Sequence, residues 1–221
     1  MIVPKMWGLT RFVFAICFSV STGKPVITLD ASETPNLAKW AEEARDLMVE
    51  WQPRLSNLMP SKFDLPDTIS LIMKKTDEGI AYADGNTIVV SSHWIEKHPD
   101  DIGLIVHELV HVLQAYPNFE PGWITEGVAD YLRWAVYESK PLDWFPLTND
   151  DNGYASGYRI TAGFLLWLDQ THIPGINTYL NRAMQDTSYS DEIFNNHSGM
   201  TVHQLWEQYK LHRNSSKNLQ D

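Results

Sequence analysis

Cysteine is almost missing from this chain of 221 residues, since Cys17 is the only one. One cysteine excludes an intrachain disulfide and any zinc site built from several cysteines. Basic residues are also scarce, with 17 Lys and Arg against 28 Asp and Glu, so the formal net charge is −11. This charge argues against binding nucleic acid through its phosphates and gives little attraction to an anionic membrane surface. We therefore expect neither a nucleic-acid partner nor a membrane partner.

The only apolar run that resembles a targeting segment lies at the N-terminus, and it is too short for an ordinary membrane span. Lys5 and Arg11 come first, followed by the apolar residues Phe12 to Val20 and by small residues that include Gly23. This order is typical of a secretory signal peptide. We therefore expect residues 1–23 to be a signal peptide and the protein to be secreted. The alternative is an uncleaved, poorly ordered N-terminus.

Repeats and low-complexity linkers are absent, and hydrophobic residues make up 43% of the chain. This composition is that of a globular protein, and the length suits one domain with a substantial core. The last residues, NSSKNLQD, are polar and lack a hydrophobic pattern. We therefore predict a single domain over 24–213 and a flexible tail over 214–221. The oligomeric state is not encoded in any motif, and we take a monomer as the default.

The hydrophobic pattern predicts strands first and helices afterwards. A strand over 26–30 precedes an amphipathic helix over 35–52, which Pro53 is expected to end or kink. The β-rich run DTISLIMKK follows, and Asp84-Gly85 then predicts a hairpin over 80–91. Helices are predicted next over 102–114, 125–137, 156–170, 176–184 and 201–212. The expected fold is α+β, with a small mixed or antiparallel sheet and its edge hairpin packed on a helical body.

The sequence HELVH places His107 and His111 four residues apart, with Glu108 directly after the first histidine. On a helix both imidazoles lie on one face, so both can bind one ion. The flanking residues are nearly all apolar, which predicts a buried helix whose polar groups need partners. A zinc ion would satisfy them, and Glu108 could take a proton from a water that zinc acidifies. The alternative is a solvated helix face that carries this pattern by chance.

A third ligand is expected close by, because catalytic zinc usually takes three protein ligands and one water. After a turn at Pro121 and Gly122, a second helix is predicted from about Thr125. This helix carries Glu126 and Asp130 four residues apart and therefore on one face. We favour Glu126 as the ligand and Asp130 as the acceptor that orients a ligand imidazole. The alternatives are Asp130 as the third ligand, and a Glu126 that only complements the helix dipole.

Several segments together resemble a known family. GIAYADGNTIVVSS, DIGLIVHELVHVLQAY, PGWITEGVADYLRW, GYRITAGFLLWLD and TVHQLWEQYK occur in this order. They resemble the plant and bacterial basic secretory protein family of zinc peptidases, over about residues 26–210. That family is similar to the gluzincin group of metallopeptidases. One departure is plain, because this chain is acidic, with a pI of about 5.1.

The resemblance implies a zincin-like peptidase domain that acts on peptide or protein substrates with one Zn²⁺ as cofactor. It implies His107, His111 and Glu126 as the zinc ligands, Glu108 as the general base and Asp130 as a residue that orients a ligand.

Two features bear on the remainder of a substrate cleft. The edge hairpin AYADGNTIVV lies just before the HELVH helix and is a candidate for pairing with an extended peptide. Tyr154, Tyr158 and Arg159 are candidates for stabilising an oxyanion, and we prefer Tyr158. The alternatives are an ordinary edge hairpin, and a tyrosine that only packs at a helix start.

The sequence as a whole predicts a secreted zinc metallopeptidase. A non-catalytic, metal-stabilised extracellular binding module on the same scaffold is the alternative, although a structural site has no need of Glu108. A hydrolase that uses the same activated water on another kind of bond is a third possibility.

Overall fold

A computed structural model describes residues 24–217 of the chain. Within this range the strands are β1 (Val26–Asp30), β2 (Thr68–Lys74), β3 (Ala81–Asp84) and β4 (Thr87–Ser91). The α-helices are α1 (Ala38–Leu58), α2 (Ser92–Lys97), α3 (Leu104–Gln114), α4 (Gly122–Asp130), α5 (Tyr158–Thr171), α6 (Ile176–Gln185), α7 (Glu192–Ser198) and α8 (Val202–Lys217). A π-helix, Tyr131–Tyr137, continues directly from α4. The predicted α+β class is confirmed.

The sheet is mixed, with the strand order β1-β2-β4-β3. β2 pairs in parallel with both β1 and β4, whereas β3 and β4 form an antiparallel hairpin. Gly85 in the hairpin turn has a φ of +56°, a conformation that glycine adopts without steric cost. The hairpin predicted over 80–91 is thus present. Among residues 24–217, β3 has a partner strand on one side only, so it forms an open edge of the sheet.

One face of the sheet is covered, and the sequence of β2 shows why. Ile69, Leu71 and Met73 are buried, while the residues between them are partly exposed. Such alternation is typical of a sheet that packs on a core with one face and meets water with the other. α1 contacts β1, and α3 contacts β3 and β4. The sheet therefore lies directly above the helix that carries HELVH.

Helix α3 lies in the centre of the helical body. It contacts α1, α4 and the π-helix as well as the sheet. Its apolar residues are nearly all buried, as expected for a helix that is hydrophobic around most of its circumference. α4 packs in turn on α5, and both share one hydrophobic core with α8. The position of α3 is thus fixed from several sides.

The first helix departs from the prediction, because it does not end at Pro53. A 3₁₀ turn, Pro35–Leu37, precedes α1, and α1 then continues through Pro53 to Leu58. Pro53 lacks an N–H and cannot complete the helical hydrogen bond at its position. The following turn nevertheless buries Leu55 and Met59 in the core, and the Met59 amide donates to the Leu55 carbonyl over 2.8 Å. Core packing therefore outweighs the helix-breaking tendency of the proline.

Other boundaries also differ from the prediction. α2 and α7 were not predicted, and α8 extends to Lys217, beyond the helix end predicted at residue 212. The predicted signal peptide and residues 218–221 of the predicted tail lie outside the described residues. Among residues 24–217, no helix combines the length and the apolar character that a membrane crossing requires.

Candidate metal centre

The two histidines of HELVH converge on the exposed side of α3. Because residues four apart lie one turn apart, His107 and His111 lie above one another on the same face. Their Nε2 atoms are 3.0 Å apart, and their ring planes meet at 84°. The side chains are only 11% and 17% exposed. The pair is therefore not a solvated helix face.

Glu126 of α4 completes the cluster. Its Oε2 atom lies 3.2 Å from Nε2 of His107 and 3.6 Å from Nε2 of His111. One donor atom from each of the three residues lies within 4.8 Å of the others, and the group could hold a metal ion. α4 begins at Gly122, three residues before the predicted start, so Glu126 lies in its second turn. Of the two carboxylates considered, Glu126 is the one that joins the imidazoles.

The outer nitrogen of each imidazole has its own hydrogen-bond partner. Nδ1 of His107 lies 2.8 Å from Oδ1 of Asp130. Nδ1 of His111 lies 2.8 Å from Oε1 of Gln114. The Gln114 amide nitrogen donates to the Thr125 carbonyl over 2.9 Å, so its oxygen must be the atom that faces the histidine. Both Nδ1 atoms therefore donate, and both imidazoles are held in a fixed orientation.

These hydrogen bonds determine what the cluster can bind. When each neutral imidazole carries its hydrogen on Nδ1, the Nε2 lone pairs of His107 and His111 both point inward. They meet Oε2 of Glu126, so three acceptor atoms face one another without a hydrogen between them. A proton, a hydrogen-bond donor or a cation at the centre would remove that repulsion. Two imidazoles and one carboxylate are a donor set that catalytic zinc uses. The residues therefore fit a zinc ion.

The pKa values of His107 and Glu126 in the metal-free chain also indicate that the cluster attracts positive charge. Burial lowers the pKa of His107, but hydrogen bonds to Asp130 and Glu126 outweigh it and raise that pKa to about 9. Burial raises the pKa of Glu126, but its hydrogen bonds to His107 and His111 lower that pKa to about 2. A proton thus occupies the place that fits a cation.

Glu108 lies beside the donor cluster without joining it. Its residue is 7% exposed, and it lines the cleft together with His107 and His111. Burial raises the pKa of Glu108, and the neighbouring charge of Glu126 adds to this effect. The two histidines act in the opposite direction. A carboxyl group with a raised pKa can both accept and return a proton near neutral pH.

The donor cluster opens into a cleft of about 990 Å³. β3 forms one wall, and α3 and α4 form the floor with His107, His111 and Glu126. The start of α5 contributes Tyr158 and Arg159 to the opposite rim. The volume is at the upper end of the range for small-ligand pockets.

Tyr158 stands at the rim in an unusual backbone conformation. Gly157 has φ +73° and ψ −176°, and Tyr158 itself has φ +46°, a region that side chains other than glycine rarely adopt. The Tyr158 ring is 57% exposed and nearly parallel to the His107 ring, with 6.5 Å between centroids. Charge on Glu126 raises the pKa of Tyr158, so its hydroxyl keeps its proton. Tyr154, by contrast, is buried against Trp123 at 5.4 Å between ring centroids.

Two residues of the site were not predicted from the sequence. Gln114 lies three residues after His111, a spacing that places both on one helix face and could have suggested their contact. Arg133 lines the cleft from the π-helix, where it pairs with Asp101 and Glu138. Arg133 lies three residues after Asp130 and seven after Glu126, a spacing that places all three on one helix face and could have suggested its position in the cleft.

The fold and the site define an α+β protein with two imidazoles and one carboxylate assembled in a substrate-sized cleft. The chain belongs to the basic secretory protein family, whose model carries the description "Peptidase of plants and bacteria" and matches residues 43–209. The matched segment contains HELVH, Glu126, Asp130 and Tyr158. No curated protein and no solved structure matches the chain. The resemblance seen in the sequence is thus confirmed, and the family's description supports a peptidase that acts on peptides or proteins.

Proposed function

We propose that the protein is a secreted metallopeptidase that uses one Zn²⁺ held by His107, His111 and Glu126. The observation that carries the proposal is the convergence of two Nε2 atoms and one carboxylate oxygen within 4.8 Å. Three protein ligands leave a coordination position free, which is typical of catalytic zinc and not of structural zinc. Two observations support a zincin-like, gluzincin-type domain. The motifs occur in the order seen in the basic secretory protein family, and the sheet packs on α3, the helix that carries HELVH.

The chemistry follows from the residues around the cluster. When bound, zinc would supply Lewis acidity that polarises the scissile carbonyl and acidifies a water molecule. Glu108 takes a proton from the attacking water while the water oxygen bonds to the carbonyl carbon. Glu108 then gives this proton to the amide nitrogen as the carbon–nitrogen bond breaks. Its buried position supports this role, because burial brings the pKa of Glu108 closer to that of a proton shuttle.

Asp130 and Gln114 act on the ligands and not on the substrate. Each accepts a hydrogen bond from one ligand imidazole, which fixes the ring and keeps its Nε2 lone pair directed inward. Tyr158 is our candidate for stabilising the oxyanion, because its protonated hydroxyl stands at the rim beside His107. Preorganised donors of this kind are worth about 3 to 4 kcal/mol in transition-state stabilisation.

The open edge of the sheet supports binding of an extended peptide. The Ser91 amide donates to the Ile80 carbonyl, so Tyr82–Val89 is also a hydrogen-bonded pair in the antiparallel ladder. The backbone groups of Ala81 and Ala83 then point away from β4. Both residues line the cleft. A substrate strand that pairs with them would lie along the metal donors.

The proposal extends to location and assembly. The order of basic, apolar and small residues in 1–23 supports export through a cleaved signal peptide. The cleft and its donors belong to one chain, which supports a monomer as the active unit.

Replacing Glu108 by glutamine tests the proposed mechanism. The glutamine amide keeps the size of the side chain but cannot accept the proton, so we expect hydrolysis to fall by at least about 1,000-fold. Zinc content should remain at one ion per chain, because Glu108 is not among the donors. Metal analysis of the purified protein and cleavage of a peptide library, before and after chelation, measure both quantities. Glu42→Gln, an exposed residue of α1, is the matched control.

Each result of this experiment has a distinct meaning. Undiminished cleavage by Glu108→Gln would remove the proposed mechanism. One zinc per wild-type chain, without cleavage of any peptide, would favour the non-catalytic binding module. Cleavage of esters but not of peptides would instead favour a different class of hydrolase.

A further inference from the structure

The cleft contains two arginines whose surroundings differ. Arg133 is neutralised, because its guanidinium pairs with both Asp101 and Glu138 and stacks over Trp134 at 3.9 Å from the ring centroid. Arg159 lines the same cleft, and its guanidinium forms no ion pair with any residue of the described range 24–217. The cleft thus presents one positive charge that the protein itself does not neutralise.

The position of Arg159 is restrained although the residue is exposed. It follows Tyr158 at the start of α5, and its guanidinium lies 5.8 Å from the centroid of the Trp144 ring. Trp144 is itself held by Trp134, with ring centroids 4.8 Å apart. Packing over an aromatic ring restrains a guanidinium and leaves the hydrogen-bond donors at its edge available. Arg159 therefore offers a directed fork of donors at the rim of the cleft.

None of the acidic groups that line the cleft forms an ion pair with Arg159 in the described residues. Glu126 faces the two imidazoles, Asp130 accepts a hydrogen bond from His107, and Glu108 is buried beside them. The chain as a whole has 28 acidic residues against 17 basic ones. Arg213 also lacks an acidic partner within the described range, but it is buried and donates to backbone carbonyls, whereas the donors of Arg159 face the cleft. The ligand that suits these donors is a carboxylate.

We propose that Arg159 binds a carboxylate of the substrate and that the cleft prefers peptides with an acidic group near the cleaved bond. This inference rests on the proposed function, because it assigns a substrate class to the same cleft. The carboxylate can belong to an Asp or Glu side chain, or to the C-terminus of a short peptide. Both sources present the same planar pair of oxygens to a guanidinium.

Matched peptide substrates test the preference. In one series a single Glu is moved through the three positions on either side of the cleaved bond, and each peptide has a twin with Gln. In a second series the C-terminus is either free or amidated. We expect kcat/KM to be about tenfold higher for the acidic member of at least one pair, which corresponds to one charge-assisted hydrogen bond. The series that shows the difference identifies the source of the carboxylate.

Variants of the arginine assign the preference to its side chain. Arg159→Gln should reduce the ratio between acidic and neutral twins to about one to threefold, and Arg159→Glu should favour a twin that carries Lys. Arg54→Gln is the matched control, because Arg54 also lies over a tryptophan ring, at 5.1 Å from Trp51, but does not line the cleft. It should keep the wild-type ratio.

A binding measurement separates this inference from the proposed function. Glu108→Gln protein, with or without Arg159→Gln, is titrated with fluorescent acidic and neutral twins, and the two dissociation constants are compared. The acidic twin should bind about tenfold more tightly only while Arg159 is present. Equal affinity for both twins, or a preference that survives Arg159→Gln, would overturn the inference even if peptides are cleaved. Absence of any cleavage would overturn the proposed function, while the binding ratio would still decide the role of Arg159.

Discussion

The two imidazoles of the cluster donate to different hydrogen-bond acceptors. Nδ1 of His107 donates to the charged carboxylate of Asp130, whereas Nδ1 of His111 donates to the neutral amide oxygen of Gln114. A carboxylate acceptor raises the basicity of the imidazole more than an amide does, and it makes that imidazole the stronger ligand. The stronger of the two histidine ligands should therefore be His107.

Replacing Asp130 by asparagine tests this difference. The variant keeps the shape of the side chain but removes its charge, so His107 loses basicity and the amide can turn either its oxygen or its nitrogen to Nδ1. We expect zinc affinity to fall by about 10- to 100-fold. Competition with a chromophoric chelator measures the affinity, and Asp143→Asn, an exposed aspartate, is the control. An unchanged affinity in Asp130→Asn would show that the hydrogen bond does not tune the site.

At the scale of single residues, spacing along the chain placed His107, His111 and Glu126 in one cluster, but we did not predict Gln114 from it. His107 and His111 follow from one turn of helix, and Glu126 from a second helix that begins soon after the first ends. The role of Gln114 depends on the Thr125 carbonyl, which is 11 residues away and defines the amide orientation. A contact between two helices determines that orientation, so no pattern within one helix contains it.

At the scale of elements, the position of Glu126 depends on how closely α4 packs on α5. Gly127 follows Glu126 and faces Thr161 of α5, and a Cβ atom at residue 127 would lie 2.8 Å from the Thr161 Cβ. Thr161 cannot easily turn away, because its hydroxyl donates to the Tyr154 carbonyl over 2.6 Å. The absence of a side chain at Gly127 is therefore what allows the two helices to approach.

Replacing Gly127 by alanine should push α4 away from α5. Overpacking of this kind costs about 1 to 3 kcal/mol of unfolding free energy. Because Glu126 is the neighbouring residue, we also expect a measurable loss of zinc affinity. Urea denaturation of the chelated protein and zinc titration of the folded protein measure the two effects. Gly79→Ala is a control for glycine replacement, because a Cβ at residue 79 meets no atom within 4 Å, although its φ of +76° adds local strain. Unchanged stability in Gly127→Ala would contradict the packing argument.

The elements that were predicted are those whose pattern extends over enough residues. α3 and the hairpin were predicted because apolar clustering and the Asp84-Gly85 turn are strong local signals. α2 and α7 have six and seven residues, too few for a helical period to be recognised. α1 continues past Pro53 because Leu55 and Met59 are buried by other parts of the molecule. Tertiary packing determines these boundaries, and a local sequence pattern does not reveal contacts with distant parts of the chain.

At the scale of the whole molecule, the proposed metal centre couples stability to pH. The pKa of His107 in the metal-free chain is raised from 6.5 to about 9. The folded chain therefore holds this proton more tightly than the unfolded chain does. The resulting stabilisation is complete below pH 6.5 and is lost as the pH rises through about 9.

The melting temperature of the chelated protein should therefore fall between pH 6.5 and 9. Chelated His107→Gln protein should lack the part of this decrease that comes from His107. The difference between the two melting-temperature curves therefore gives the contribution of the histidine to the pH dependence. Zinc-loaded protein should behave in the opposite way, because zinc binds the unprotonated imidazole and competes with the proton. Thermal denaturation at fixed ionic strength across this pH range measures all three. Parallel curves for chelated wild type and His107→Gln would contradict the assignment.

The open edge of β3 has a consequence for how copies of the protein behave in solution. In the part of the chain that the structure describes, the Ala81 and Ala83 amides have no partner strand, so this edge can pair with an extended chain, including the same edge of another copy. Tyr82, 47% exposed on this strand, adds apolar area that would favour such self-association. Repulsion between two copies of this acidic chain, whose full sequence has a formal net charge of −11, opposes it. This chain is acidic, although its family is named "basic". Its negative charge thus opposes self-association through the open edge of β3.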